Sequence, residues 1–312
     1  MWTAQFGAYT FFELFYVFVM YSFFGWALES VFVSATTKEW VNRGFINGPF
    51  CPIYGVGALL LTILLSPLQE HILLLFFGGC VIATLVEYVV AVILEKLFHA
   101  SWWDYSNKKW NIKGRVCLLR SVQWGALTVV VIRWIHPFVE RWIDRIPQMF
   151  GEIAGTVLML YLIADAGITV QQILHLNEKL TRLAEVREEI RTKLESTKLY
   201  AARQDLAERL EKLPAAEWLR EWKACMEENY ADIEQMRLEE QLRAEYIRNE
   251  IREKLEYKIR AAEQANRGQR RLIRAFPKMR SLHFDAELQE LRMQLEERRK
   301  KRKHSKGEKK EQ

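Results

Sequence analysis

The chain has 312 residues, with 45 Lys/Arg against 39 Asp/Glu and a net charge of +6. Its mean hydropathy of −0.13 averages two unlike halves. Residues 1–176 carry 15 of the 17 Phe and 9 of the 11 Trp with only 11 basic and 11 acidic side chains, while 177–312 hold the other 34 basic and 28 acidic ones. That split excludes a uniformly soluble globular protein and predicts an all-α polytopic membrane bundle joined to a long charged helical tail.

Crossing a hydrocarbon core takes about 20 mostly apolar residues. The first such stretch, Tyr9–Val33, has no basic residue ahead of it and is too long for a signal h-region, so it reads as an uncleaved span. It contains Gly25, Trp26 and Glu29. The loop that follows runs Asn42-Arg43-Gly44-Phe45-Ile46-Asn47-Gly48-Pro49-Phe50-Cys51-Pro52-Ile53-Tyr54-Gly55. Asn-Gly-Pro enforces a tight turn, because Gly48 permits positive φ and Pro49 disfavours helix just before it. Pro52 suits the first position of a helix. A helix N-terminus beside Arg43 could hold an anionic group, or could be a well-capped return into the bilayer. The second span, Cys51–Leu65, is short and is interrupted by Gly55 and Gly57.

The third span, His71–Phe98, carries Glu87 on a small-residue stripe, Gly79–Ala83–Glu87–Ala91, which lets another helix approach and buries the carboxylate in the bundle. Next come Trp102-Trp103-Asp104-Tyr105-Ser106, aromatic boundary anchors with an acid among them that could pair with Arg115 or Arg43. Gly114 and Arg115 lead into the fourth span, Val116–Ile135, with Arg120, Ser121 and Trp124. The fifth, Gly151–Leu176, contains Asp165. Ionisable side chains inside spans are costly and are candidates for a substrate or ion pathway; here they are Glu29, Glu87, Arg120 and Asp165. Similar depths suggest a Glu29–Arg120 ion pair and a Glu87–Asp165 acidic pair suited to proton handling or cation coordination. A structural polar clasp is the competing reading.

Lys38, Arg43, Lys96, Lys108, Lys109, Lys113 and Arg115 fall in the loops after the first and third spans, which places those loops and the C-terminus in the cytoplasm and the N-terminus outside. Five spans satisfy this pattern. Cys51, Cys80, Cys117 and Cys225 have no paired spacing, so neither a disulfide framework nor a metal site is expected, and no cofactor is implied.

The tail divides into a charged helical region, 177–275, and a short helix with a basic, disordered end, 276–312. Leu176, Leu180, Leu183, Ile190 and Leu194 make an imperfect coiled-coil stripe through which copies of the chain could associate. Pro214 interrupts it. Trp218, Trp222, Ile233, Met236, Ile247, Ile251, Leu255 and Ile259 mark a second helical stretch, and Pro277 another break. The run Arg298-Arg299-Lys300-Lys301-Arg302-Lys303-His304 suits anionic lipid; nucleic acid is disfavoured as a partner.

Gly25-Trp26 with Glu29, the block NRGFINGPFCPIYGVG (42–57), the WWDYS box (102–106) and NIKGRVCLLRSVQWG (111–125) together resemble a bacterial membrane family of type IV ABC-transporter permeases. The resemblance covers roughly residues 10–176 and not the tail, and it implies transport of a substrate it does not name. No G-x-x-x-x-G-K-[ST] occurs, so the ATPase would be a separate subunit. A membrane-anchored scaffold or sensor signalling through the coiled-coil tail is the alternative. A lipid enzyme using Arg43, Asp104 and Arg115 is a weaker third reading, since Ser121 has no neighbouring His and no nucleophile–base pair is evident.

Overall fold

The computed structural model describes residues 1–195, 245–246, 249–254, 256–257, 260 and 265–308. It divides into two units, Met1–Leu174 with Arg271–Leu282, and His175–Arg270 with His283–Gln312. The expected features at Leu194, Pro214, Trp218, Trp222, Cys225, Ile233, Met236, Ile247, Leu255 and Ile259 lie outside the residues or side chains described.

The first unit is a helix bundle with short strand pairs at its connections. A hairpin of β1 (Gln5–Phe6) and β2 (Tyr9–Thr10) turns at Gly7, whose φ of +67° suits glycine. α1 (Phe11–Thr37) then starts on a capping box: the Thr10 hydroxyl accepts from Glu13 N at 3.3 Å while Thr10 N donates to Glu13 Oε2 at 2.6 Å. α2 (Pro52–Leu65) has Pro at its first turn and ends in a 3-10 turn, Ser66–Leu68. α3 (Ile72–Phe98) stops at His99 in the left-handed region. β3 (Ala100–Ser101), then β4 (Asn111–Ile112) and β5 (Val116–Cys117) paired with each other, fill the next loop.

α4 (Leu118–Val130), a π turn (Val131–Ile135) and α5 (His136–Ile143) follow without a break. Pro137 has no N–H to give Arg133, and the widened turn accommodates this: His136 N–H reaches back five residues to the Val131 carbonyl. The fourth apolar helix therefore runs Leu118–Ile143, eight residues beyond the expected Ile135. α6 (Gln148–Glu195) completes the set.

Among the described residues, four helices are long and apolar enough to cross a membrane: Phe11–Thr37, Ile72–Phe98, Leu118–Ile143 and Gln148–Thr192; Pro52–Leu68 is apolar but shorter. This is a multi-pass membrane protein. Leu73, Phe77, Val81 and Leu85, four apart on α3, are each more than half exposed, as are Ile153, Val157 and Leu160 on α6. Stripes of that kind need lipid or another apolar partner against them. Inside, α3 and α4 approach through small residues: a Cβ on Gly79 would strike the Thr128 side chain, and one on Gly125 would strike Cys80 and Phe76. One core cluster combines Trp2, Phe15 and Val19 with Ile46 and Phe50. The last two belong to no regular element.

In the second unit, Leu176, Leu180, Leu183 and Ile190 are buried, as are Ile251, Leu288 and Leu291. Arg187 pairs with Glu287 at 3.3 Å and Lys254 with Glu189. α7 (Arg267–Ala275) begins in this unit, and α8 (Asp285–Glu308) runs on through the basic stretch that was expected to be disordered. Its backbone continues as helix across Lys, Arg and Glu residues, all good helix formers.

Candidate functional site: an extended half-span and its polar supports

The position of α2 decides how the family-like block is built. Cys51, just before Pro52, donates its N–H to the carbonyl of Ser22 at 2.9 Å. Ser22 lies near the middle of the 27-residue α1. α2 therefore starts halfway along its neighbour, and residues 41–51 cover the other half of the distance without helix or strand. From Ser34 to Ser22 is about 18 Å along α1. An irregular segment at that depth survives only if its backbone polar groups find partners in protein.

Side chains and a carbonyl of α1 supply one set of partners. Val41 N donates to Ser34 Oγ at 3.0 Å and Arg43 N to Ser30 Oγ at 3.1 Å. The Trp26 indole N–H donates to Asn42 Oδ1 at 2.8 Å, and Ser22 closes the series. Ser34, Ser30, Trp26 and Ser22 are four residues apart, so they form one face of the helix.

α6 supplies the opposing set, also at intervals of four, from Tyr161, Asp165 and Thr169. Asp165 Oδ1 accepts from Asn47 N (3.1 Å) and Asn47 Nδ2 (2.9 Å), and Oδ2 accepts from Gly48 N (2.6 Å). Thr169 Oγ1 takes a further bond from Asn47 Nδ2, and the Tyr161 ring packs on Phe50. Asn42 braces the segment from within, accepting from Gly44 N and donating to the Asn47 carbonyl. Gly44 and Gly48 are required by close approach. A Cβ on Gly44 would meet the Phe50 and Gly48 carbonyls, and one on Gly48 the Tyr161 hydroxyl and Asp165 carboxylate. Pro49 follows in the turn that places Phe50 in the core.

The other acids join a second network. Glu29 pairs with Arg43 at 3.2 Å rather than with Arg120, and accepts from the Tyr54 hydroxyl at 2.8 Å. Tyr54 sits against Gly25, where a Cβ would overlap its ring, and meets Trp124 edge-on at 5.7 Å. The Trp124 indole donates to Glu87 Oε2 at 3.3 Å and the Tyr105 hydroxyl to Oε1 at 3.1 Å. Arg120 lies 5.9 Å over the Tyr105 ring. A continuous path thus runs from Arg43 through Glu29, Tyr54, Trp124 and Glu87 to Tyr105. Glu87 and Asp165 do not share partners: Asp165 takes three N–H bonds from Asn47 and Gly48 beside the Tyr161 hydroxyl, whereas Glu87 takes one from the Trp124 indole and one from the Tyr105 phenol. A phenol can donate to a carboxylate or accept from a carboxylic acid, so the Glu87 site can accommodate either protonation state.

Beyond the helices, Arg115 is held by Glu95 (Nε 2.9 Å, NH2 2.6 Å) and the Tyr88 hydroxyl, which push its guanidinium pKa up. Trp103 Nε1 donates to the Arg115 carbonyl at 2.8 Å. Asp104 pairs with neither Arg115 nor Arg43. It accepts from Ser106 N at 2.8 Å and lies 3.5 Å from Arg280; hydrogen bonds from Ser106, then Arg280, hold its pKa below the usual value. Burial, then the nearby Glu87 charge, pushes the Tyr105 phenol up. Gly114, at φ +69°, makes the β4–β5 turn, and Gly55 packs against Phe18 and Ser22. Ser121 bonds Thr84 across the α3–α4 contact at 2.7 Å. Among the described residues no cluster of metal-ligating side chains occurs. Sequence reasoning missed Ser30, Ser34, Tyr161 and Thr169. Their signal was polar residues recurring every four positions in otherwise apolar helices.

Residues 16–170 match the family model described as "Putative ABC-transporter type IV". The membrane region of this chain belongs to that family. The matched stretch takes in both polar ladders, from Ser22 to Thr169, and stops well short of Arg271–Leu282. No curated protein and no solved structure matches the chain.

Proposed function

We propose that this type IV family member is the membrane permease subunit of a transporter whose nucleotide-hydrolysing subunit is a separate protein. The observation that carries the reading is the extended half-span. Broken helices whose unwound backbone lies inside the bundle are where membrane transporters build binding sites, and this one costs the chain two ladders of buried polar groups to maintain. Glu87, linked through Trp124, Tyr54 and Glu29 to Arg43, is the ionisable group on the pathway. The basic loops support a topology with the N-terminus outside, the half-span opening toward the cytoplasm and the C-terminus cytoplasmic. That the sequence carries no P-loop motif supports placing ATP hydrolysis on a separate subunit. One bundle of this size makes a narrow path, so the working unit is an oligomer, and the basic C-terminal run contacts anionic lipid.

The test is a pull-down from native membranes of the full-length protein and of a form ending at residue 176. Recovery of a nucleotide-hydrolysing subunit on both is expected. Recovery of soluble partners alone, lost with the tail, would overturn the reading in favour of a membrane-anchored scaffold. That second reading draws on the residues after 270 that return to the family motifs.

A further inference from the structure

Residues 271–282 stand outside the family match yet belong to the membrane unit. Several of their contacts fall on family-like motifs, and the others lie directly beside them. Arg271 donates through NH1 to the Gly44 carbonyl at 2.6 Å and through NH2 to the Phe45 carbonyl at 3.0 Å. Those two carbonyls sit in the extended half-span, which has no ladder of its own to satisfy them. In return Arg43 donates to the Ala275 carbonyl and its guanidinium lies 4.9 Å over the Phe276 ring. Phe276 meets Trp102 edge-on at 4.9 Å, and Trp102 in turn packs on Phe45 and Phe98.

Beyond Pro277 the segment becomes β6 (Arg280–Ser281) and pairs antiparallel with β3, Ala100 opposite Ser281. Leu282 N then donates to the His99 carbonyl at 2.8 Å. Charge matches as well: the segment carries Arg271, Arg274, Lys278 and Arg280 and no acid. Arg274 pairs with Glu39 at 3.2 Å and Arg280 with Asp104. Leu272, Ala275 and Met279 are buried to 3% exposure or less. The seat is closed on both sides, by hydrogen bonds to the half-span and by a strand pair to the Trp102 loop.

We propose that the face made by Arg43, Gly44, Phe45, Trp102 and Asp104 is a receptor for a basic peptide that turns from helix to strand around Phe-Pro, and that residues 271–282 fill it as a tethered latch over the half-span. While the latch is seated, it satisfies the Gly44 and Phe45 carbonyls and takes up Arg43 NH1, while Nε and NH2 of Arg43 stay with Glu29. When it leaves, the two carbonyls and that NH1 must find water or another ligand, so vacating the seat exposes the open backbone of the half-span. The inference rests on the contacts themselves and holds whether or not the protein transports anything.

The test uses the full-length chain in lipid nanodiscs carrying Ala100→Cys and Ser281→Cys. Mild oxidation is expected to link the two introduced thiols within one chain, as read by peptide mass mapping. Adding Arg271→Ala with Phe276→Ala should lower the linked fraction several-fold. A tethered segment acts at an effective concentration on the order of millimolar, so a synthetic peptide of residues 267–284, added at several millimolar, should lower the yield similarly in the otherwise unaltered pair. The same peptide with both substitutions should not. A linked fraction that ignores Arg271→Ala/Phe276→Ala, or a drop in that variant that the native peptide cannot reproduce, would overturn the proposal; the second outcome would mark the variant as merely unfolded.

Discussion

Asp165 and Glu87 are both buried acids in apolar helices, and their surroundings differ. Asp165 is a fixed acceptor for the backbone of Asn47 and Gly48 and for the Asn47 amide. Leaving a buried donor unsatisfied costs about 1–3 kcal/mol, so Asp165→Ala should remove several kcal/mol and lower the melting temperature of the detergent-solubilised protein by many degrees, with Asp165→Asn in between. Glu87→Gln keeps an acceptor for Trp124 or Tyr105 and should melt close to the parent; on the proposed permease reading it should abolish substrate-stimulated hydrolysis by the partner ATPase. A Glu87→Gln variant that is fully active would remove this acid from the pathway. The sequence alone marks both residues as exceptional. It cannot separate them, because the partners of Asp165 lie about 118 positions away in the chain and no local pattern points to them.

Among elements, the half-span is the one whose chemistry was readable and whose location was not. Pro52 starting a helix and the shortness of Cys51–Leu65 follow from residue type; the bend at Gly48-Pro49 does too, except that Gly48 is not at positive φ and is needed for close approach to Tyr161 and Asp165 instead. Placing residues 41–51 inside the bundle requires knowing that Ser22, Trp26, Ser30 and Ser34 face them, and in an apolar helix a serine is equally at home bonding its own backbone. Thr36 does so, bonding the Phe32 and Val33 carbonyls. The comparison makes a prediction. Ser30→Ala and Ser34→Ala each strip an acceptor from a half-span N–H and should cost about 1–3 kcal/mol apiece. Thr36→Ala, on the same helix, should change stability by less than about 0.5 kcal/mol. Equal effects at all three positions in thermal denaturation would mean the α1 ladder does not hold the half-span. The fourth span was misjudged at its end for a related reason: Arg133, His136 and Pro137 look like a terminus, but a π turn carries the helix through them.

For the whole molecule, the sharp compositional break near residue 176 was legible because hydropathy is additive along the chain. What the charged portion does with its few apolar residues was not, since heptad spacing does not say whether the partner is another copy or the same chain. Leu176, Leu180, Leu183 and Ile190 are buried at 2–6% exposure within a single chain. A stripe consumed in this way is unavailable for pairing between copies unless the second unit opens. Leu180→Ala should therefore destabilise that unit by about 2–5 kcal/mol, as for other large-to-small core changes. The effect should appear as faster proteolysis of the region after residue 175, at a rate ratio to the parent that does not change on tenfold dilution. An intermolecular coiled coil would behave differently: its protection would weaken on dilution even in the parent, because association, unlike internal packing, follows mass action. The dilution series thus separates a tail that folds on itself from one that joins copies of the chain.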